Sequence, residues 1–259
     1  LGGIIEIYEK FTGDDPRKVP MKIFPAVHYS MGGLYVDYDQ MTSVPGLFAA
    51  GECDYSQHGG NRLGANSLLS AIYGGMVAGP KAIEYVNGLD KSYEDLDESL
   101  YEKHAQVEQE KFDNILAMDG TENAYVIHKE LGEIMTANVT VVRHNDKLLE
   151  TDKKIVELME RYKNININDT QKWSNQAAFF TRQLWNMLVL ARVITIGAYN
   201  RNESRGAHFK PEFPDRNDEE WLKTTKASYD GPTNAPKFEY EDVDVSLIPP
   251  RIRDYSTKH

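Results

Sequence analysis

The stretch from Trp173 to Ala198 constrains the fold more than any other part of the sequence. Trp173, Ala177, Phe180, Leu184, Met187 or Leu188, Ala191, Ile194 and Ala198 recur at the three-to-four-residue spacing of one helix face. An apolar stripe of that length has to be covered by other apolar faces, and the sequence just upstream supplies them. From Leu96 onward Leu100, His104, Val107, the aliphatic stem of Lys111 and Ile115 keep the same period. A less regular stretch from Val126 to Val142 places Leu131, Ile134, Met135 and Val139 on one side, and Lys147 to Tyr162 does so with Leu148, Ile155, Leu158, Met159 and Tyr162. Helices with such stripes bury them against one another, so residues 93–210 are expected to form an all-α helical bundle.

Before residue 90 the composition is different, with glycines clustered at Gly32-Gly33, Gly46, Gly51, Gly59-Gly60, Gly64, Gly74-Gly75 and Gly79. Gly33-Leu34-Tyr35-Val36-Asp37 reads as a short strand followed by a loop at Asp39-Gln40-Met41-Thr42. Val44-Pro45-Gly46 reads as a turn feeding Leu47-Phe48-Ala49-Ala50, a short apolar run between glycines that has the pattern of a buried strand. From Asn66 the period becomes helical, with Leu68, Leu69, Ile72, Met76 and Val77 apolar and Gly74, Gly75, Ala78 and Gly79 small. Each interior glycine costs a helix roughly 1 kcal/mol relative to alanine, which points to close approach of backbone or ligand. Pro80 either ends this helix or kinks it.

Beyond Arg201 regularity fades, and Pro211, Pro214, Pro232, Pro236, Pro249 and Pro250 divide the chain into short pieces. Glu241-Asp242-Val243-Asp244-Val245-Ser246-Leu247 alternates strictly and reads as a half-exposed edge strand with no evident partner. The 29 Lys and Arg against 40 Asp and Glu give a net charge of −11, which disfavours nucleic acid as a partner. A single cysteine, Cys53, excludes an intrachain disulfide framework and a zinc site built from several thiolates, and no metal site is expected. No apolar run reaches the roughly 18 residues that a membrane-spanning helix needs. The start at Leu1-Gly2-Gly3-Ile4-Ile5-Glu6 has neither Met nor a basic segment and reads as a cut inside a longer protein.

Three places in the glycine-rich part carry residues suited to chemistry. His28 stands just before Met31-Gly32-Gly33. Glu52 follows the apolar run that ends at Ala50-Gly51, where open α/β sheets present groups to ligands. His58-Gly59-Gly60-Asn61-Arg62-Leu63-Gly64-Ala65-Asn66-Ser67-Leu68 is a loop rich in backbone donors that carries an arginine into a helix. Taken singly, His28 also reads as a surface histidine, Glu52 as the cap of a turn, and Asn66-Ser67 as an ordinary helix N-cap. Arg62 is harder to dismiss: between glycines its guanidinium has little local cover, and its rigid fork suits a carboxylate or phosphate.

Together, HYSMGG at 28–33, GLFAAGE at 46–52 and HGGNRLGANSLL at 58–69 resemble the substrate and flavin motifs of the succinate dehydrogenase and fumarate reductase flavoprotein family. A second block, RNESRGAH at 201–208 continuing to FPDRNDEEWL at 213–222, resembles the family's C-terminal signature. The likeness runs from about Leu1 to Leu222 and is nearer to the long Gram-positive, Bacillus-like form, whose tail resembles Arg251-Ile252-Arg253-Asp254-Tyr255. The resemblance implies the end of a capping domain and a return segment over 1–33 and the C-terminal portion of an FAD-binding domain over 34–92. It thus implies an α/β remnant of a Rossmann-like FAD-binding domain, followed by the bundle over 93–210 and an irregular tail over 211–259.

By the same resemblance, His28 and Arg62 hold the substrate dicarboxylate. Glu52, Ser67 and Leu68 contact FAD, with Gly32, Gly33, Gly51 and Asn66 lining the cofactor. Gly60 departs from the alanine of many relatives. The implied reaction oxidises succinate to fumarate: a base takes one proton, a hydride passes to the flavin, and electrons leave through iron–sulfur centres to quinone. The family's G-x-G-x-x-G fingerprint, its covalent-flavin histidine and its proton-shuttle arginine have no counterpart in these residues and would lie before Leu1. The 259 residues alone are therefore expected to be inactive, and their bare glycine-rich surface invites a non-native dimer. Implied partners are an iron–sulfur subunit and a membrane cytochrome b anchor, with the protein peripheral on the cytoplasmic face of the membrane. A fumarate reductase or an L-aspartate oxidase shares the carboxylate clamp, and a non-catalytic helical interaction module is the alternative from another class.

Overall fold

A computed structural model describes residues 2–24, 26–55, 57–231 and 233–251, so Ile252 to Tyr255 of the tail motif lie outside the described residues. The chain divides into two compact units, Leu1–Ser30 and Met31–His259. The first contains helix α1 (Gly2–Thr12), none of whose residues is buried, with Lys10 paired to Glu6 at 2.8 Å. The Asp15 carboxyl, held by Arg17 at 2.7 Å, lies well below the usual carboxylate range, at about 2.

The second unit opens with short irregular segments where strands are expected. Leu34 bridges Asp54, Val36 bridges Thr42 and Met41 bridges Phe48, each singly, so neither 33–37 nor 47–50 becomes a strand. Gly46 at φ +82° and a 3-10 turn at Gly51–Cys53 bend the chain away before a second ladder pair can form. Helix α2 (Asn66–Asn87) continues through Pro80. Its Gly74 explains one of the interior glycines: a Cβ there would lie 2.9 Å from Gln40 Oε1 and 3.0 Å from Ala50 Cβ. Leu68, Leu69, Ile72 and Met76 of α2 are all more than 60 % exposed.

The bundle comprises α3 (Glu98–Leu116), α4 (Ala124–Asn138), α5 (Asn145–Tyr162) and α6 (Gln176–Asn200). Asn123 and Asn175 start α4 and α6 by accepting from Tyr125 N and Ala178 N, both at 2.8 Å. Helix α6 packs against α3, α4 and α5, and the core joins Ile127 and Leu131 of α4, Ile155 and Leu158 of α5, and Leu184 and Leu188 of α6. The α5 stripe is buried as its period predicts.

Elsewhere the stripes are shifted. Trp173 precedes α6 and is 88 % exposed, and Ile194 is 51 % exposed. The face of α6 that turns inward is Ala178, Thr181, Leu184, Leu188, Ala191, Thr195 and Ala198. Small residues and threonines let neighbouring helices approach closely, and the Thr195 hydroxyl is satisfied by donating to Ala191 O at 2.7 Å. On α3 only Ile115 is buried, while Leu100 and Val107 face solvent. Helix α4 ends at Asn138, short of Val142, with Val139 buried as its cap residue.

After α6 a short helix α7 (Asp218–Trp221) leads into β1 (Lys223–Asp230) and β2 (Ala235–Asp242), paired antiparallel with Lys223 opposite Asp242. The C-terminal strand thus has a partner within the chain. It lies upstream of the alternating run, of which only Glu241 and Asp242 take part. Both strands contact α6, and a Cβ on Gly197 would meet the Phe238 ring at 3.4 Å.

Candidate functional site

The glycine-rich motifs meet around the 3-10 turn at Gly51–Cys53. Leu34 N donates to Cys53 O at 2.7 Å and Tyr55 N to Leu34 O at 3.2 Å. A Cβ on Gly33 would sit 2.3 Å from Cys53 O, so only glycine lets this segment lie against the turn that carries Glu52. Gly51 is buried at φ +84°, and a Cβ on Gly32 would meet nothing within 4 Å. Glu52 itself is exposed on this turn.

The arginine loop continues into α2, whose N-cap position is Ala65 in the left-handed region at φ 63° with no side-chain cap. Asn66 and Ser67 are therefore not the N-cap; they are the first helical residues. The left-handed Ala65 already turns the chain, and Asn66 N donates to Leu63 O at 3.2 Å. The Ser70 hydroxyl donates to Ser67 O at 2.9 Å and lies 3.1 Å from His58 Nε2, anchoring the start of the loop to the helix. Leu68 is 74 % exposed. Arg62 is half-buried and its Nη1 donates to Leu63 O at 3.3 Å.

Against this loop lies a buried charge network that sequence reasoning marked as a family signature without assigning roles to its members. The fully buried Glu203 carboxylate accepts from Arg201 Nη1 at 2.7 Å, Arg205 Nε at 2.8 Å, Arg205 Nη2 at 2.9 Å and Asn217 N at 3.0 Å. Burial works to raise this carboxyl, but the two guanidiniums and the amide outweigh it and hold it below its ordinary value. Arg201 also donates to Trp221 O, Lys223 O and Thr225 Oγ1, and Arg205 to Asp218 Oδ1 at 2.7 Å. The Lys210 ammonium, fully buried, donates to Tyr199 O at 2.8 Å, Asn202 Oδ1 at 3.0 Å and Arg201 O at 3.1 Å. Burial pushes its pKa down to about 8, so it stays mainly protonated at neutral pH. The clustering of Arg201, Glu203, Arg205, His208 and Lys210 within one short segment was the available signal.

The two blocks touch through the backbone, with Ala207 N donating to Gly60 O at 3.0 Å. Gly33, Gly51, Glu52, Arg62, Asn66, Ser67 and Leu68 thus share the second unit with the signature network. His28 belongs to the first unit, where it is exposed. The residues present fit a flavin nucleotide: the first amides of a helix have no intrahelical partner, and here they begin a 22-residue helix with no side-chain cap, beside an exposed acid and glycines that admit close approach. Among the described residues no group of His, Cys, Asp and Glu could hold a metal ion, and no helix is long and apolar enough to cross a membrane.

Comparison with known proteins agrees with this arrangement. Residues 1–68 match a family described as an FAD binding domain, and residues 128–255 one described as the C-terminal part of the fumarate reductase flavoprotein. The chain is 78 % identical over 258 residues to the succinate dehydrogenase flavoprotein subunit of Bacillus subtilis, covering 100 % of this chain and 44 % of that protein. It is 34 % identical over 255 residues to the fumarate reductase flavoprotein subunit of Escherichia coli, covering 97 % of this chain and 42 % of that one. A solved structure of the E. coli quinol fumarate reductase flavoprotein superposes with a TM-score of 0.91 at 33 % identity, over 99 % of this chain and 44 % of the other. The chain therefore spans less than half the length of these relatives. It belongs to the succinate dehydrogenase and fumarate reductase flavoprotein family, and corresponds to the C-terminal part of its members.

Proposed function

We propose that these residues form one wall of the dicarboxylate and flavin site of a succinate dehydrogenase. The observation that carries this reading is the position of Arg62, half-buried on a loop between the uncapped start of α2 and the C-terminal signature. A guanidinium there offers two parallel donors to a substrate carboxylate; for His28 the family likeness alone supports a role in holding the dicarboxylate. Glu52, Ser67 and Leu68 contact FAD, with Gly32, Gly33, Gly51 and Asn66 against it. FAD, when bound, accepts the hydride equivalent removed from succinate. The part played by Arg62 is to fix a substrate carboxylate, so that the substrate carbons meet the flavin without a reorganisation cost.

The 78 % identity to a protein named succinate dehydrogenase, against 34 % to one named fumarate reductase, supports the oxidative direction. In this reading the partners are an iron–sulfur subunit and a membrane cytochrome b anchor, with the protein peripheral on the cytoplasmic face of the membrane. The exposed leucines of α2 then pack against the rest of the FAD-binding domain.

Replacing Arg62 by alanine in the full-length, flavin-loaded subunit tests the proposal. Succinate-dependent dye reduction should fall by at least ~10²-fold while the flavin stays bound, because a lost charged contact to the reacting species typically costs a few kcal/mol. Near-normal turnover of this variant would reject the assignment.

A further inference from the structure

We infer that Gly206 and Ala207 are positioning residues for Arg62, an inference that rests on the reading of Arg62 as a carboxylate ligand. Gly206 adopts φ +59°, and a Cβ there would lie 2.2 Å from Gly60 O, 2.4 Å from Gly60 C and 2.9 Å from Asn61 N. All three are backbone atoms of the arginine loop, so they cannot swing aside as a side chain would. The next residue, Ala207, donates its amide to Gly60 O at 3.0 Å. The loop is thus pressed on and hydrogen-bonded by the signature just before Arg62.

The pressing segment is itself tied down by hydrogen bonds. Arg205 N donates to His208 O at 2.8 Å and His208 N to Arg205 O at 3.0 Å, closing a tight turn around Gly206. The Arg205 guanidinium is locked to the fully buried Glu203 at 2.8 and 2.9 Å and to Asp218 at 2.7 Å. Before Gly59, His58 ties the loop to Ser70 of α2 at 3.1 Å. Arg62 therefore follows a segment held at both ends, by α2 and by the core of the signature. Neither Gly206 nor Ala207 has to touch the substrate for this. A side chain at 206 would push the Gly60-Asn61 backbone outward and move the guanidinium with it, and displacement of about 1 Å at a positioning group can cost ~10²-fold in rate.

The test is a double-mutant cycle in the intact, flavin-loaded protein, reading the dissociation constant of malonate, a dicarboxylate that this chemistry does not oxidise, from the change in flavin absorbance. Gly206→Ala should weaken malonate about 10- to 100-fold at unchanged flavin content. The same change in an Arg62→Ala background should weaken it no further, because its effect passes through the arginine. Wild-type affinity in Gly206→Ala, or losses that add in the double variant, would overturn the inference even where Arg62→Ala alone binds weakly. If Gly206→Ala does not fold, Arg205→Lys replaces it. That variant adds no atom beside the loop and loosens the hold on Glu203, and it should show a smaller, equally non-additive loss. Malonate binding by Arg62→Ala at wild-type strength would instead sink the assignment of Arg62 itself, and this inference with it.

Discussion

At His208 the hydrogen bonds dictate a protonation state. Its Nε2 lies 2.9 Å from Arg201 O, which only accepts, and its Nδ1 lies 2.6 Å from Arg143 Nη1, which only donates. The neutral ring with its proton on Nε2 satisfies both, and burial lowers the pKa from 6.5 to about 4. The folded value lies below the unfolded one, so between these values the unfolded chain takes up a proton that the folded chain refuses. The stability is complete above about pH 6.5 and is lost as pH falls toward about 4, amounting to at most about 3 kcal/mol. Urea unfolding at pH 7 and pH 5 should show about half of that loss, since pH 5 still lies above the folded value, and His208→Gln should reduce the slope with pH. Lys210→Met should cost at least about 2 kcal/mol at pH 7, since it leaves the acceptors at Tyr199, Arg201 and Asn202 without their donor. Arg62 stood out in the sequence because an arginine in a glycine-rich loop at the start of a helix suits an anionic ligand. The roles of Glu203 and Lys210 were not legible, because Glu203 depends on Asn217, 14 residues further along the chain, and Lys210 on the carbonyls that end α6.

Among the elements, α5 was legible almost residue by residue, because its polar and apolar faces differ sharply. For α6 the period was legible and the phase was not: apolar side chains occupy more than one face, and the buried line runs through alanines and threonines that a hydrophobic pattern passes over. The two strands were missed in register for a related reason, since β2 is mostly exposed and its pairing is set by β1 and contact with α6. The phase of α6 has a direct consequence. Leu188→Ala, at a site with 0 % exposure, should destabilise the protein by about 2–5 kcal/mol. Ile194→Ala, at 51 % exposure, should cost under about 1 kcal/mol. Denaturant midpoints ordered the other way would show that the helix is turned as its apolar spacing alone suggests.

For the whole molecule, the bundle and the glycine-rich segment stand in different positions. Helices α4, α5 and α6 bury one face each against one another, whereas α2 leaves Leu68, Leu69, Ile72 and Met76 open. Tight holding of a dinucleotide needs the strand–turn–helix that seats a pyrophosphate at a helix N-terminus, and the 259 residues contain no G-x-G-x-x-G. In the proposed reading Glu52, Ser67 and Leu68 supply only part of a flavin site, and part of a site neither excludes water nor holds an isoalloxazine in register. The claim that these residues are one wall of a flavin site is tested most directly by titrating the purified 259-residue chain with FAD, following flavin fluorescence and succinate-dependent dye reduction together. A helical, folded protein with no stoichiometric flavin binding and no turnover is expected; tight one-to-one binding accompanied by succinate oxidation would refute the assignment.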